Sequence, residues 1–215
     1  MVALSDNSID RLSKLSSAHT AEGVVVDIGT GDGTFVYQSA RQNPGKFYIG
    51  IDPNVSPLEK ISEKIHRKIA KGGAPNVLFI QSNVEDLPPE LEGVADEVHV
   101  HFPWGGLLKA VASGDEGVLQ GVRKICAGEA LLEIIVGLDD SRDRSELNRL
   151  GLERFSVELI DSVLLSKYRE AGFEITERGC IPAGQWPEFK SSWAKRLKGK
   201  DTRPITYLIA RAVNI

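Results

Sequence analysis

The stretch that most constrains the fold is residues 23–33, Gly-Val-Val-Val-Asp-Ile-Gly-Thr-Gly-Asp-Gly. Three consecutive valines read as a buried strand of a parallel sheet, because a strand covered on both faces shows no polar alternation. Asp27 sits at the end of the strand. Gly29, Gly31 and Gly33 then alternate through a tight turn, and Phe35 to Arg41 follow with helix-compatible residues. Strand, glycine loop and helix in this order predict an open α/β sheet with helices on both faces. Glycines let the backbone turn sharply and approach a ligand closely, and the first strand–helix turn of such a sheet is where nucleotides bind.

The spacing narrows the ligand. A dinucleotide fingerprint has the pattern G-x-G-x-x-G, with a pyrophosphate at the helix N-terminus. Here the pattern is G-x-G-x-G, preceded two residues earlier by an acid. It resembles motif I of the class I S-adenosylmethionine (AdoMet) methyltransferases. AdoMet has no phosphate but carries an amino group, which Asp27 suits and which a pyrophosphate site would not need. An ordinary glycine turn and an NAD site of altered spacing are the alternatives. The resemblance implies a Rossmann-like seven-stranded sheet with its last strand antiparallel, AdoMet as cosubstrate and S-adenosylhomocysteine as product.

At 215 residues the chain fits a single methyltransferase domain over residues 1–215, with insertions. No apolar run approaches the ~20 residues that span a bilayer, and the N-terminus lacks the charged start and apolar core of a signal peptide. Cys126 and Cys180 form no metal or redox pattern and the four histidines are scattered, so a cytoplasmic protein without a metal is expected. Net charge is −4. That balance does not propose a nucleic-acid partner, yet a local basic face, which a phosphate backbone would feel, can hide within it.

Ile9, Leu12 and Leu15 suggest a short helix near the start. Lys46 to Ile51 reads as the second strand and ends at Asp52, followed by Pro53. An acid about 20 residues beyond the glycine loop is placed to take a ribose hydroxyl pair. Residues 55–70 read as a helix with Leu58, Ile61, Ile65 and Ile69 on its buried stripe. Its other face carries Lys60, Lys64, Arg67 and Lys68, with Lys71 in the loop beyond. Either those bases are solvated and paired with Glu59 and Glu63, or they bind phosphates. Residues 76–80 read as strand three, and the resemblance to class I methyltransferases, in which the following turn lines the adenine of AdoMet, implies Val84 and Glu85 as candidates for the pocket wall. Strand four, residues 95–101, ends at His101 and meets Phe102-Pro-Trp-Gly105. Trp104 then either points its indole at the site of transfer or anchors the loop on the core.

Residues 116–126 read as a helix, 129–136 as strand five, 158–171 as a helix, 173–176 as the start of strand six and 205–213 as the last strand. Insertions are expected at about residues 137–158, charged and exposed, and 182–204. Loops of that length usually carry a function. In the second, Lys190, Lys195, Arg196, Lys198, Lys200 and Arg203 fall within the fourteen positions 190–203, where only Asp201 opposes them, and Trp193 lies among them. A ring for stacking among cations for phosphates is the combination that binds RNA. A surface helix that buries Trp193 is the alternative.

Together these stretches resemble the aminoglycoside-resistance 16S rRNA methyltransferases of the KamB/NpmA type, which methylate N1 of adenosine 1408 in the decoding site. The resemblance rests on Val26-Asp-Ile-Gly-Thr-Gly-Asp-Gly33, Tyr48-Ile-Gly-Ile-Asp-Pro53, Lys71-Gly-Gly73, Glu85-Asp-Leu-Pro88, Phe102-Pro-Trp-Gly105 and Ser192-Trp-Ala-Lys-Arg-Leu197. The first is common to many methyltransferases; the last two in combination are highly specific. The resemblance implies that Asp27, Gly29, Gly31, Asp52, Pro53, Val84, Glu85 and His101 hold AdoMet. It implies that Trp104 and Trp193 clamp a flipped adenine, assisted by Ser191 and Arg203. Lys64, Arg67, Lys68, Lys71, Lys195 and Arg196 would meet rRNA phosphates on the 30S subunit, with the enzyme acting as a monomer. The sequence departs at Glu63, where a relative has lysine, and in a reduced N-terminus where relatives carry a β-hairpin that helps docking. Lower RNA affinity or a different degree of activity is the expected consequence.

The chemistry agrees. Adenine N1 has a free lone pair and no proton, so methylation needs no general base, only alignment. The competing readings are a class I methyltransferase for a small molecule or protein, a non-catalytic AdoMet- or ribosome-binding module, and, more remotely, an NAD enzyme.

Overall fold

The computed structural model describes residues 22–185 and 203–214. Its strands and helices alternate in the way a parallel sheet requires, since each parallel connection needs a crossover. The order is β1 (Val24–Ile28), α1 (Thr34–Gln42), β2 (Phe47–Asp52), α2 (Glu59–Ile65), β3 (Val77–Gln81), β4 (Ala95–His101), α3 (Gly105–Ser113), α4 (Glu116–Ile125) and β5 (Cys126–Gly137). There follow α5 (Arg144–Leu150), α6 (Val157–Leu159), a π-helical turn (Ile160–Leu164), α7 (Leu165–Glu170), β6 (Phe173–Ile181) and β7 (Ile205–Ala212).

The seven strands form one sheet in the order β3-β2-β1-β4-β5-β7-β6. The first five are parallel, and β7 runs antiparallel to both neighbours. All five residues of β1 are buried, which is why this strand is an unbroken apolar run around Asp27. The strand order reverses between β1 and β4, and a crevice for ligands opens at the carboxyl ends of the strands there.

β7 starts at Ile205, which pairs with Gly137 at the end of β5 and with Ile181 at the end of β6. The chain therefore leaves β5 and β6, and returns into β7, along the same sheet edge that carries the glycine loop. A large apolar core covers one side of the sheet, and Val25, Val36, Tyr37, Ala40, Tyr48 and Ile65 form a second under α1 and α2.

Several expectations change. The stretch at 55–70 is not one helix: a 3-10 turn (Ser56–Leu58) leads into α2, and a second turn (Ile69–Lys71) follows. Leu58 and Ile65 are buried as expected, but Ile69 is 70% exposed, because the break after α2 rotates it off the apolar stripe. The segment after β5 is not a wholly exposed insertion, since it contains α5 and buries Leu147, Leu150 and Phe155. Helix α3 was not anticipated, as its sequence opens on two glycines. The suggested helix around Ile9 lies outside the described residues. Among the described residues no helix is long and apolar enough to cross a membrane.

Candidate active site

A cavity of about 660 Å³ lies at the carboxyl ends of β1, β2 and β4, within the ~300–1,000 Å³ of small-molecule sites. Asp27, Gly29, Gly31, Asp52, Pro53, Val84, Glu85, His101 and Trp104 all line it. The structure thus brings together every residue that the sequence assigned to AdoMet, from four separate segments.

The glycine loop is fixed from below and open above. The N–H groups of Gly29 and Thr30 both donate to the carbonyl of Ile51, at 2.8 and 3.1 Å. Gly29 has φ +76°, and a Cβ there would come within 2.7 Å of Leu107. Gly31 has φ +60°, and a Cβ there would meet nothing within 4 Å, so its backbone lies bare against the cavity. Asp52 Oδ2 accepts a hydrogen bond from Gly31 N at 2.9 Å and Oδ1 accepts one from Asn54 N at 2.9 Å. Each carboxylate oxygen keeps a further lone pair for a hydroxyl.

Asp27 is 3% exposed. Burial raises its carboxyl above the ordinary 3.8, against the opposing field of His101. A buried acid facing a cavity favours a cationic partner, which restores the charged form.

Trp104 stands on the rim, 45% exposed, and is not the loop's anchor. Phe102 has that role: its side chain is buried against Ile135 and Ile205, and its N–H donates to the Ile135 carbonyl at 2.7 Å. Phe102 holds φ at +51°, a conformation that costs a non-glycine residue about 1–2 kcal/mol. Burial of the ring holds this strained turn in place, and the turn presents Trp104 to solvent at the cavity mouth.

Beneath the cavity lies an arrangement that the sequence reading missed. The histidines are not all scattered. Glu97, His99 and His101 alternate along β4 and share a face, and Glu133 of β5 pairs in register with His99. His99 Nδ1 lies 3.0 Å and His101 Nε2 2.6 Å from the same Glu133 oxygen, Oε1. Glu97 contacts His99 Nε2 at 3.4 Å and accepts from Lys46 Nζ at 2.6 Å. Burial disfavours a charge on His99, but Glu133 and Glu97 outweigh it and raise its pKa to about 9. Burial likewise works against Glu133, yet hydrogen bonds to His101 and His99 hold it well below the usual carboxylate range. Phe35 of α1 packs on both imidazoles, with centroids 5.4 and 4.8 Å away. The Glu-x-His-x-His pattern was the available signal, but its partner lies 32 residues beyond His101.

The remaining predicted residues lie elsewhere. Arg203 does not line the cavity; it forms a two-point contact with Asp143 at 2.8 and 2.9 Å. Lys64 is half-buried, with Nζ 4.4 Å from the Tyr37 ring centroid, while Arg67, Lys68 and Lys71 are exposed. Tyr37 Oη donates to the Gly72 carbonyl at 2.8 Å, fixing the Lys71-Gly-Gly73 turn. Among the described residues, Glu59 and Glu63 form no ion pair with these bases, and Arg67, Lys68 and Lys71 face solvent. Ser191, Trp193, Lys195 and Arg196 lie outside the described residues.

The family model for NpmA, 16S rRNA (adenine(1408)-N(1))-methyltransferase, matches residues 4–212. The chain belongs to the 16S rRNA (adenine(1408)-N(1))-methyltransferase family. An Escherichia coli enzyme of that description is 35% identical over 193 residues, covering 89% of this chain and 87% of the relative. The solved aminoglycoside-resistance methyltransferase NpmB1 is 41% identical, with a TM-score of 0.82 over 95% of this chain and 93% of its own. A mutant of the 16S rRNA (adenine(1408)-N(1))-methyltransferase from Catenulisporales acidiphilia, solved with its cosubstrate SAM, is 34% identical. It has a TM-score of 0.88 over 99% of this chain and 94% of its own.

Proposed function

We propose that this protein methylates N1 of adenosine 1408 in the 16S rRNA of the assembled 30S subunit, using AdoMet, and so confers aminoglycoside resistance. The observation that carries this reading is the half-exposed Trp104 at the mouth of a cavity with a buried acid and a second acid along its floor, in a chain of this family. It fits AdoMet because Asp27 suits an ammonium group, Asp52 a ribose diol, and the bare backbone at Gly31 a closely seated nucleoside. Pro53, Val84, Glu85 and His101 complete the wall.

Bound AdoMet supplies an electrophilic methyl group. The chain's own task is to hold adenine N1 in line with it, an effect of orientation that needs no base. Extracting the adenine from its stack costs about a few kcal/mol. Trp104, with Trp193 as its partner, offsets that cost by stacking and favours the positive charge that the base acquires. Ser191 and Arg203 assist from the second insertion. Lys64, Arg67, Lys68, Lys71, Lys195 and Arg196 meet rRNA phosphates. In this reading residues 1–215 form one domain, a cytoplasmic monomer whose insertions at about 137–158 and 182–204 face the RNA.

The test is tritium transfer from labelled AdoMet to purified 30S subunits, followed by primer extension across the decoding site. A reverse-transcription stop at adenosine 1408 is expected, since a methyl on N1 blocks pairing. Labelling with a stop elsewhere overturns the position, and no labelling overturns the substrate.

A further inference from the structure

We propose that His99, His101 and Glu133 form a binding site for a divalent transition-metal ion of the zinc class, set in the sheet beside the cavity. Three ligand atoms, His99 Nδ1, His101 Nε2 and Glu133 Oε1, converge with mutual separations of 3.2, 3.0 and 2.6 Å. A tetrahedral zinc ion with bonds of about 2.0–2.2 Å needs ligand atoms about 3.3 Å apart. Two edges of the triangle are within about 0.3 Å of that value and the third must open by less than about 1 Å.

Hydrogen bonding alone explains less of this geometry. Both imidazoles direct a nitrogen at the same carboxylate oxygen, and this leaves those nitrogens facing each other at 3.2 Å. A cation among the three atoms turns every one of these close approaches into a bond. Two imidazole nitrogens with one carboxylate oxygen select zinc, cobalt or nickel over magnesium or calcium, which prefer oxygen-only shells.

The surroundings are those of a metal site. Glu97 faces His99 Nε2 at 3.4 Å and is itself held by Lys46 at 2.6 Å. A carboxylate on the outer nitrogen of a histidine fixes its tautomer and turns the inner nitrogen toward the ion. Phe35 covers both rings, so they have one packed orientation. His101 also lines the cavity, which gives an ion a route of entry and a water molecule a place as fourth ligand. The histidine pair comes from a single strand and the acid from its neighbour in register, so the ligands stand on two directly paired strands of the sheet.

The experiment uses the intact chain, stripped with a chelator and then dialysed against zinc chloride. One zinc per chain is expected. Glu133→Gln and His99→Gln should each lower the affinity at least tenfold, and Glu97→Gln should lower it by about 10–100-fold, as for other outer-shell partners. Because a variant can fail to fold, the unsubstituted chain with labelled histidine is titrated in parallel by NMR. The sequence has four histidines, and zinc should move the ring resonances of His99 and His101. Shifts confined to His19 and His66, binding no tighter than in the folded Glu133→Gln variant, or no stoichiometric zinc would each overturn the site.

Discussion

Arg203 grips Asp143 through two parallel hydrogen bonds, Nε to Oδ2 at 2.8 Å and Nη2 to Oδ1 at 2.9 Å. The pair joins the entry to β7 with the loop after β5, where the Asp139 N–H also donates to Asp143 Oδ2 at 2.9 Å. A fork-to-fork arginine–carboxylate contact fixes orientation as well as distance. Asp143 is 5% and Arg203 18% exposed, so the pair is more than a surface ion pair. Arg203→Ala is expected to destabilise the fold by about 2–3 kcal/mol, near the low end for a buried pair, in a denaturant titration. It should also reduce methylation, because the contact ties the loop after β5 to the entry of β7 beside the cavity edge of the sheet.

The same pair gives a sign to the acid stability. Burial raises the Asp143 carboxyl, but Arg203 reverses this and leaves it below its ordinary 3.8. Above 3.8 the contribution is fully present. It is lost as pH falls through the lower folded value, because the unfolded chain takes up the proton first. Asp143→Asn should therefore be less stable near neutrality, and the difference from the parent should shrink in acid unfolding curves.

Gly29 and Gly31 should respond differently to alanine. Both hold positive φ, which costs alanine about 1–2 kcal/mol. At Gly29 the added Cβ also strikes Leu107, whereas at Gly31 it enters the cavity. Gly29→Ala is expected to lower the melting temperature more. Gly31→Ala should lose AdoMet affinity out of proportion to its stability, by calorimetric titration.

Asp52 braces the glycine loop through Gly31 and Asn54. Asp52→Ala removes these bonds together with the proposed ribose contacts. A hydrogen bond to a charged group is worth about 1.5–3 kcal/mol, so AdoMet affinity should fall at least tenfold. Retention of affinity within twofold would mean that the ribose lies elsewhere.

Trp104 is 45% exposed and, among the described residues, belongs to none of the core clusters. Trp104→Ala should leave the melting temperature nearly unchanged and AdoMet affinity within a few-fold, while methylation of 30S subunits is almost abolished. Reversing Arg67 and Lys68 to glutamate should weaken subunit binding and flatten its dependence on salt. Unchanged binding would remove that face from the interface.

The sequence was most informative where the physics is local. The valine run, the three glycines and Asp52 announce β1, its loop and the end of β2, because a parallel strand and a positive-φ turn each demand a residue type. It misled where tertiary context prevails. The apolar spacing through Ile69 continued past a break that the Lys71-Gly-Gly73 turn imposes. Gly105 and Gly106 hid α3, whose Leu108 and Val111 are held by the core rather than by propensity. The histidine–glutamate cluster depends on the register between β4 and β5, and one strand's sequence does not contain its neighbour's register.

The position of β7 bears on how the molecule is made. Strands β1 to β5 can pair as they leave the ribosome, but among the described strands β6 pairs only with β7, and β5 keeps an open edge until residues 205–212 arrive. Pairing among β1 to β5 can thus precede the pairing of β6 and β7. Exposed strand edges invite wrong pairing, so the interval of risk for aggregation runs from the completion of β5 at Gly137 until Ile205–Ala212 pairs with it. A nascent chain stalled before Arg203 would have the residues that line the cavity but not the grip of Arg203 on Asp143.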